Sequence, residues 1–388
     1  MIDTVILNIP KEHLRQAVDG YSPITWDLNS RTSNYEKFVR NPSYAERSAA
    51  IYMPRLTYIK RRTRGTDSVS FLRIEFSVPK LLYQNNLDEI EESDFPKILK
   101  ILNERLARMN IKIEEKYLSG ATVSAAHFSK NIVITGGYTA SGIGKELAKI
   151  NLNKKFDLNK TDFRNGGRSL QGYTAAHSIV FYDKIADLSQ DKKRAIDKDQ
   201  TAQQLSLFAE IKKDKPSLEI LRMEVRLSKK QKLNAVLIKL GFTPNPTFKD
   251  IFRKDVCQKI VQSYWDTLIK DEGYFLFELA SDGPKKTLRE IIGKHRKIKA
   301  KEAVYLVGLK LLCKDDGGIR DLREMLKRKT GLRNWYRFSD DIKLLNNISR
   351  RKKPHSWVKE ISDTIAHFEP YRIGIGPPAS NSSEYRHP

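Results

Sequence analysis

The sequence predicts an α+β fold: an antiparallel-rich sheet with helices on one face, followed by a mainly α-helical C-terminal domain. Three observations carry that expectation. "LRIEFSV" (72–78) and "LRMEVRL" (221–227) alternate apolar and charged residues with period 2, as half-buried strands do. Between them, Phe95, Ile98, Leu99, Leu102 and Leu106 recur at helical spacing. From about 229 onward the pattern changes to amphipathic stretches of helix length. The 388 residues suffice for two domains with real cores. The change of pattern divides the chain into 1–230, a helical basic part at 231–372, and a tail at 373–388. The tail, with "GIGPPASNSSEYRHP" at 374–388, has turn formers and almost no apolar residues, which predicts disorder.

Taken in order, "TVILNI" (4–9) reads as the first strand, ended by Pro10. "IYMPRLTYIKRR" and "SVSFLRIEFSVP" flank the turn-rich "TRGTDS" and read as a hairpin. A helix follows over 93–110, with Ser93 as its expected N-cap. "ATVSAAHFS" (121–129) and "NIVIT" (131–135) read as strands, 142–151 as a helix, and "NGG" (165–167) as a tight turn. "HSIVFYDK" (177–184) reads as a strand that places Tyr182 and Lys184 on one face. A polar segment at 187–216 separates it from the strand "LEILRMEVRL" (218–227). The helices expected beyond are 229–241, 247–271, 286–293, 301–313, 319–329 and 339–349.

Lys and Arg number 71 against 47 Asp and Glu, a formal net charge of +24. Such an excess points to a polyanionic partner, nucleic acid before an anionic membrane surface. No apolar run approaches the roughly 20 residues that span a bilayer; "AVYLVGLKLLC" (303–313) is too short and contains Lys310. The start, "MIDTVILNIPKEHL", has no basic region leading into an apolar one. A soluble cytoplasmic protein is therefore expected. Cys257 and Cys313 sit among apolar neighbours without CxxC spacing, which suits buried thiols and not a zinc site.

"NIVITGGYTASGIGKELA" (131–148) imitates a dinucleotide-binding turn, with a strand, glycines and a helix start. Its spacing argues against that reading. Five residues separate Thr135-Gly136 from Gly142-Ile143-Gly144, where the short-chain dehydrogenase pattern has three, and no tyrosine is followed four residues later by lysine. A Walker A reading fails because Thr139 stands at the first glycine position and Glu146 at the Ser/Thr position. The glycines are expected to make turns.

The two alternating strands place Arg73 and Glu75, and Arg222, Glu224 and Arg226, opposite their core faces. Either strand alone describes a solvated face with cross-strand ion pairs, each contributing under about 1 kcal/mol. "VSAAHFS" adds His127, and "HSIVFYDK" adds Tyr182 and Lys184. If these strands are neighbours, one face carries two carboxylates, an imidazole, a phenol and an ammonium. Those donors suit Mg²⁺ or Mn²⁺, beside a tyrosine that attacks a phosphodiester.

At this point the sequence resembles a known family, the filamentous-phage gene II/X type replication initiators and related plasmid replication proteins. The resemblance is one of motif order over about residues 1–240. "MIDTVILNIP", "FLRIEFSVPKLLYQNN", "ATVSAAHFS", "IVFYDKIADL" and "LRMEVRLSKKQKL" fall in the family's order. It implies an HUH-like replication-initiator nuclease that nicks one DNA strand at a rolling-circle origin. The tyrosine keeps the 5′ end as a phosphotyrosine, and the freed 3′-OH primes synthesis and later rejoins the strand. Carried onto this sequence, Tyr182 is the nucleophile and Lys184 its partner, with Glu75, His127 and Glu224 as metal ligands for Mg²⁺ or Mn²⁺. The implied partners are single-stranded or supercoiled origin DNA and a host helicase and polymerase. Two departures stand out. The seven histidines include no His-hydrophobic-His pair, and His127 replaces an aspartate of the phage protein.

Candidate DNA contacts follow from the basic clusters. Residues 285–301, "KKTLREIIGKHRKIKAK", hold Lys285, Lys286, Lys294, Arg296 and Lys297 among eight Lys/Arg against one Glu. Arg350, Arg351, Lys352 and Lys353 form a second cluster, and Lys60, Arg61 and Arg62 a third. Arg73, Arg222 and Arg226 complete the set from the sheet. "VYLVGLKLLCKDDGGIRDLREMLKRK" (304–329) reads as helix, glycine-containing turn and helix, compatible with helix-turn-helix. Trp335 and Tyr336 stand beside Arg333 and Arg337, where they would stack on bases or fill a core.

Overall fold

A computed structural model describes residues 1–16, 27–32, 35–42, 51–62, 68–135, 137–150, 157–164, 169–188, 209, 211, 213, 218–272, 283–295, 297–314, 318–330, 338, 340–342, 344–345 and 356–373. The chain divides into two compact units that interleave in sequence. Met1–Val133, Ala175–Gln262 and Thr364–Pro388 form the first, and Ile134–Thr174 and Ser263–Asp363 the second. A boundary at 230 thus falls inside the first unit.

The first unit is built on an antiparallel sheet. Its strands are β1 (Ile2–Pro10), β3 (Asp27–Thr32), β4 (Tyr35–Arg40), β5 (Arg55–Arg62), β6 (Ser68–Ser77), β8 (Thr122–Val133), β11 (His177–Asp183) and β12 (Ile220–Leu227). Their order is β3-β4-β5-β6-β1-β8-β12-β11. A separate two-stranded ladder joins β2 (Leu14–Gln16) to β7 (Ile111–Ile113). Register sorts the side chains. Val5 faces Phe76 across one ladder, Val225 faces Phe128 across another, and Phe181 faces Met223 across a third. All six are buried, so these positions share the apolar face.

Helices α1 (Val78–Tyr83), α2 (Phe95–Arg108) and α3 (Glu115–Ser119) follow β6 and β7. The apolar stripe of α2, with Ile98, Leu99, Leu102 and Leu106, is buried as its periodicity predicts. Its start differs from expectation. A 3₁₀ turn over Glu92–Asp94 precedes it, with a capping box between Glu91 and Asp94, and Asp94, not Ser93, is the helix N-cap. Pro96 in the first turn suits a position where no N–H is needed. The segments "ATVSAAHFS" and "NIVIT" join in the single twelve-residue strand β8. The strand "HSIVFYDK" ends at Asp183, and Lys184 instead opens α5 (Lys184–Leu188).

Beyond β12 come α6 (Lys230–Lys239), α7 (Phe248–Ile251) and α8 (Lys254–Glu272), so the stretch 247–271 is two helices. Thr247 caps α7 by accepting from the Asp250 amide, while the Asp250 carboxylate accepts back from the Thr247 amide. Phe248 is the hub of an aromatic cluster, with ring centroids 5.9 Å from Phe76, 5.1 Å from Phe95 and 5.7 Å from Phe252. That cluster joins the apolar sheet face to α2 and α7.

β8 outruns its neighbour β1, which exposes backbone groups near residue 131 to a buried edge. The segment 84–91 satisfies them. Asn131 N donates to Glu89 Oε1 at 2.5 Å, Asn131 Nδ2 to Leu87 O at 2.7 Å, and Lys130 Nζ to Glu89 Oε2 at 2.5 Å. Residues 371–373 then fasten that segment. Tyr371 N donates to Glu89 Oε2 and Ile373 N to Asp88 Oδ1, while Arg372 pairs with Glu91 and Asp94.

In the second unit, β9 (Asp157–Arg164) and β10 (Ser169–Tyr173) form a hairpin, and α4 (Ala140–Ala148) packs on β10. Thr139 caps α4 by accepting from Gly142 N at 3.0 Å. A Cβ on Gly142 would lie 2.9 Å from that hydroxyl, so glycine permits the cap. Helices α9 (Pro284–Lys294), α10 (Ala300–Lys314) and α11 (Gly318–Thr330) enclose a core that includes Ile291, Leu306, Leu309, Ile319 and Leu322. Gly318 has φ +60 and lies against Lys149, whose Cβ would be 2.6 Å from an added side chain. Glycine is required there on both counts. The last described helix is α12 (Ser356–His367). Among the described residues, no helix is long and apolar enough to cross a membrane. The "NGG" turn, residues 374–388, and most of 187–216 and 339–349 lie outside the described residues.

Candidate functional site

The second face of the first unit's sheet is polar, and register places the expected residues on it. Tyr182 on β11 lies opposite Arg222 on β12, which lies opposite Asn131 on β8. Glu224 faces Ser129, and Arg226 faces His127. Across β1, His127 is level with Thr4 and Ala125 with Ile6, which in turn faces Glu75 on β6. Glu75, His127, Tyr182, Arg222, Glu224 and Arg226 therefore share a face, as period-2 alternation predicts.

Among the described residues, a tight grouping on that face adds a residue that the sequence reading missed. Ligand atoms of Asp3, His127 and Glu224 all lie within 4.8 Å of one another. Asp3 reaches the group because the β1–β8 register shifts between Ile2 and Thr4. Such an irregularity re-aims a side chain that strict alternation would send to the opposite face. Glu75 is not in the group. It stands two strands from β8, a separation of about 10 Å before any offset along the strands. Among the described residues, Asp3 and not Glu75 stands with His127 and Glu224 in the group that could hold a cation.

Glu224 is 2% exposed, and its two oxygens each accept from Arg226 at 3.0 Å. His127 Nδ1 lies 3.4 Å from Glu224 Oε1. Burial pushes the Glu224 carboxyl up, but Arg226 and His127 outweigh it and hold the group well below the usual carboxylate range. Arg222 is 1% exposed. Its guanidinium pairs with Asp3 Oδ1 at 3.1 Å and donates to Ser129 Oγ at 3.0 Å and to Asn86 O at 2.7 Å. Burial pulls its pKa down, yet Tyr182, Asp3 and Glu224 raise it above the ordinary value, so it stays charged.

Tyr182 sits within this field. Burial pushes its phenol well above the ordinary value. Arg222 opposes that rise, while Glu224, Asp187 and Asp3 add to it. Lys184 is fully buried, with Nζ 5.6 Å from the Tyr182 ring centroid and 3.7 Å from Asp187 Oδ2. Although it left the strand, it still neighbours the tyrosine. Its charge lies over the ring and is not presented at the surface.

No family model, curated protein or solved structure matches the chain.

The expected DNA contacts divide. Arg222 is interior and its guanidinium is engaged, so it serves the site's electrostatics and not a surface contact. Arg226 is tied to Glu224. Arg73 lies on the polar face opposite Asn8 and Thr57. Lys60 is 3.8 Å from Glu36, and Arg61 is exposed beside the rings of Tyr35 and Phe71. Lys285, Lys286, Lys294 and Lys297 are exposed on or next to α9. Arg296, Arg350, Arg351, Lys352, Lys353, Arg333, Trp335, Tyr336 and Arg337 lie outside the described residues, as does the Arg62 side chain. His177 points away from the site, and burial lowers its pKa to about 4.

Two residues were harder to find from sequence. Asp3 lies just before the apolar run "TVILNI", and nothing in that run signals a register shift. Asp187 carried a signal, its i,i+3 spacing from Lys184.

Proposed function

We propose that this protein initiates rolling-circle replication by nicking and rejoining one DNA strand, with Tyr182 as nucleophile. One observation carries the reading. A tyrosine shares a sheet face and an electrostatic field with a tight Asp3–His127–Glu224 group, beside buried Arg222. The antiparallel sheet with helices against its apolar face supports assignment to the HUH-like replication initiators. The helical segments beyond it, with their exposed lysines, are read as the DNA-binding part. Origin DNA, a host helicase and polymerase, and a cytoplasmic location belong to the same proposal.

Two carboxylate oxygens and an imidazole nitrogen within 4.8 Å make a donor set that suits Mg²⁺ or Mn²⁺. A cation held there would supply positive charge that polarises the phosphodiester and offsets Asp3 and Glu224, two of the three carboxylates that raise the phenol's pKa. The protein's own groups do the rest. Tyr182 Oη gives up its proton and forms a bond to phosphorus as the P–O3′ bond breaks, and the leaving 3′ oxygen takes up a proton in exchange, so none is gained or lost overall. The 5′ phosphate stays on the tyrosine, so the bond energy is retained for the reverse attack. Arg222 steadies negative charge on the phenol oxygen through the register pair.

A second reading, a DNA-binding regulator without catalysis, draws on the arginines already paired to Asp3 and Glu224 and on the buried phenol. One experiment separates the two. A 3′-labelled pool of single-stranded oligonucleotides is incubated with protein and Mn²⁺, denatured, and analysed for covalent adduct. The nicking reading expects an adduct that chelator abolishes, that Tyr182→Phe cannot form, and that maps by peptide sequencing to Tyr182. An adduct surviving in Tyr182→Phe refutes the assignment. Salt-sensitive binding without any adduct supports the regulator.

A further inference from the structure

Each carboxylate of the trio already has an arginine. Arg226 donates through Nε to Glu224 Oε1 and through Nη2 to Oε2, each at 3.0 Å, so one guanidinium engages both oxygens of that acid. Arg222 Nη2 lies 3.1 Å from Asp3 Oδ1. A cation that takes Glu224 as a ligand must share its oxygens with this bidentate fork. Two positive groups on one carboxylate repel each other, so one of them gives way.

The two arginines differ in their freedom to do so. The Arg222 side chain is 1% exposed, and its guanidinium is divided among Asp3, Ser129 and Asn86. Moving it would strand three interior partners. Arg226 stands at the rim, with its side chain 34% exposed against 3% for Glu224. Among the described residues, its guanidinium donates to Glu224 alone. Side-chain rotation can therefore carry that guanidinium from the carboxylate into water, while its stem stays on the sheet. Charge sets the consequence. Asp3 and Glu224 are balanced by Arg222 and Arg226, so a divalent cation added to the four leaves an excess of positive charge. A phosphodiester is the anion that would offset it.

We propose that Arg226 is a displaceable counter-ion: a divalent cation takes its place at Glu224, and the released guanidinium binds a phosphate of the DNA strand. Cation and strand then bind cooperatively, each raising the other's affinity by the same factor. The inference rests on reading Asp3–His127–Glu224 as a cation site and DNA as the substrate.

The test uses the full chain and reads binding, not nicking. Free Mn²⁺ is followed by electron paramagnetic resonance as protein is titrated without DNA. Arg226→Gln should bind Mn²⁺ about tenfold more tightly than the unsubstituted chain. Arg226→Lys, a point charge without the fork, should fall between them, and it carries the comparison if the glutamine variant does not fold. An arginine that only held the fold together would leave cation binding looser when removed. Melting curves give the folding control, and Mn²⁺ should raise the melting temperature of Arg226→Gln more than that of the unsubstituted chain. Anisotropy of a labelled single strand is then compared in Mn²⁺ and in chelator. The unsubstituted chain should gain about fivefold or more in DNA affinity from Mn²⁺, and Arg226→Gln should lose most of that gain. Mn²⁺ condensed on the DNA itself acts on both proteins alike. Mn²⁺ binding that is absent, or no tighter in either variant, overturns the proposal. So does a gain in DNA affinity that survives Arg226→Gln. Failure of the nicking reading looks different: tighter Mn²⁺ binding by Arg226→Gln, with no adduct on Tyr182 of the unsubstituted chain, removes nicking and leaves the displacement standing.

Discussion

At the scale of residues, the site's character comes from which carboxylate stands beside His127. Asp3→Asn should raise the Mn²⁺ concentration needed for half-maximal adduct by about tenfold or more, while Glu75→Gln should change it little. Titrating the cation against adduct yield for both variants, with melting curves as the folding control, decides between the two acids. His177 gives a separate test. Its pKa is lowered from 6.5 to about 4, chiefly by burial and then by Lys232. The unfolded chain therefore takes up the proton at higher pH than the folded one does. Stability should fall as pH drops from about 6.5 toward about 4 through this group. Chemical denaturation of His177→Gln across that window should show a shallower fall. Both effects depend on burial and neighbours, so only part of either was legible in sequence. Tyr182, His127 and Glu224 could be placed on one face from alternation alone. Asp3 could not, because a register shift obeys pairing and not the local pattern.

At the scale of elements, the segment 84–91 does what a partner strand would otherwise do for β8. Glu89 is 2% exposed and accepts from Lys130, Asn131 and Tyr371. Burial pushes its carboxyl up, but Lys130 and the neighbouring positive groups outweigh that and hold it below the ordinary value. A depressed carboxyl contributes stability at pH above the unfolded value and loses it as pH falls. Glu89→Ala should cost about 3–5 kcal/mol at neutral pH, since it strands a buried ammonium and two backbone amides. Urea unfolding should show that loss together with a weaker dependence on acid pH. The strands themselves were easier to read than their ends. β6 and β12 declared themselves by alternation. The division of 247–271 into two helices goes with a contact between distant residues, Lys254 N donating to Glu92 Oε2 at 2.8 Å, and the end of β11 with a local one, Ala186 N donating to Asp183 Oδ1 at 2.9 Å.

For the whole molecule, with single-stranded DNA as the proposed partner, the net charge of +24 should make binding strongly dependent on salt. With six to ten phosphates contacted, affinity should fall by roughly 10³ to 10⁵ between about 50 and 200 mM salt. Fluorescence anisotropy across that range measures the slope. A flat response would remove DNA as the partner, whatever the site residues do. Charge of this kind sits in the composition and survives any rearrangement of the fold. The interleaving of the two units does not. Residues 134–174 leave the first unit and 175–262 return to it, and no local pattern marks a chain that departs and comes back.

The sequence by itself determined the α+β class, the alternating strands and the basic balance. It also brought Tyr182, His127 and Glu224 together as one candidate face. These depend on side-chain period and composition, which are local or additive. Tertiary structure alone decided that Asp3 and not Glu75 completes the trio, that Arg222 is an interior cation, and that Glu89 closes the edge of β8. Each is a pairing between residues far apart in sequence. Strand order, register and burial set those pairings, and none of the three is written in any single stretch of chain.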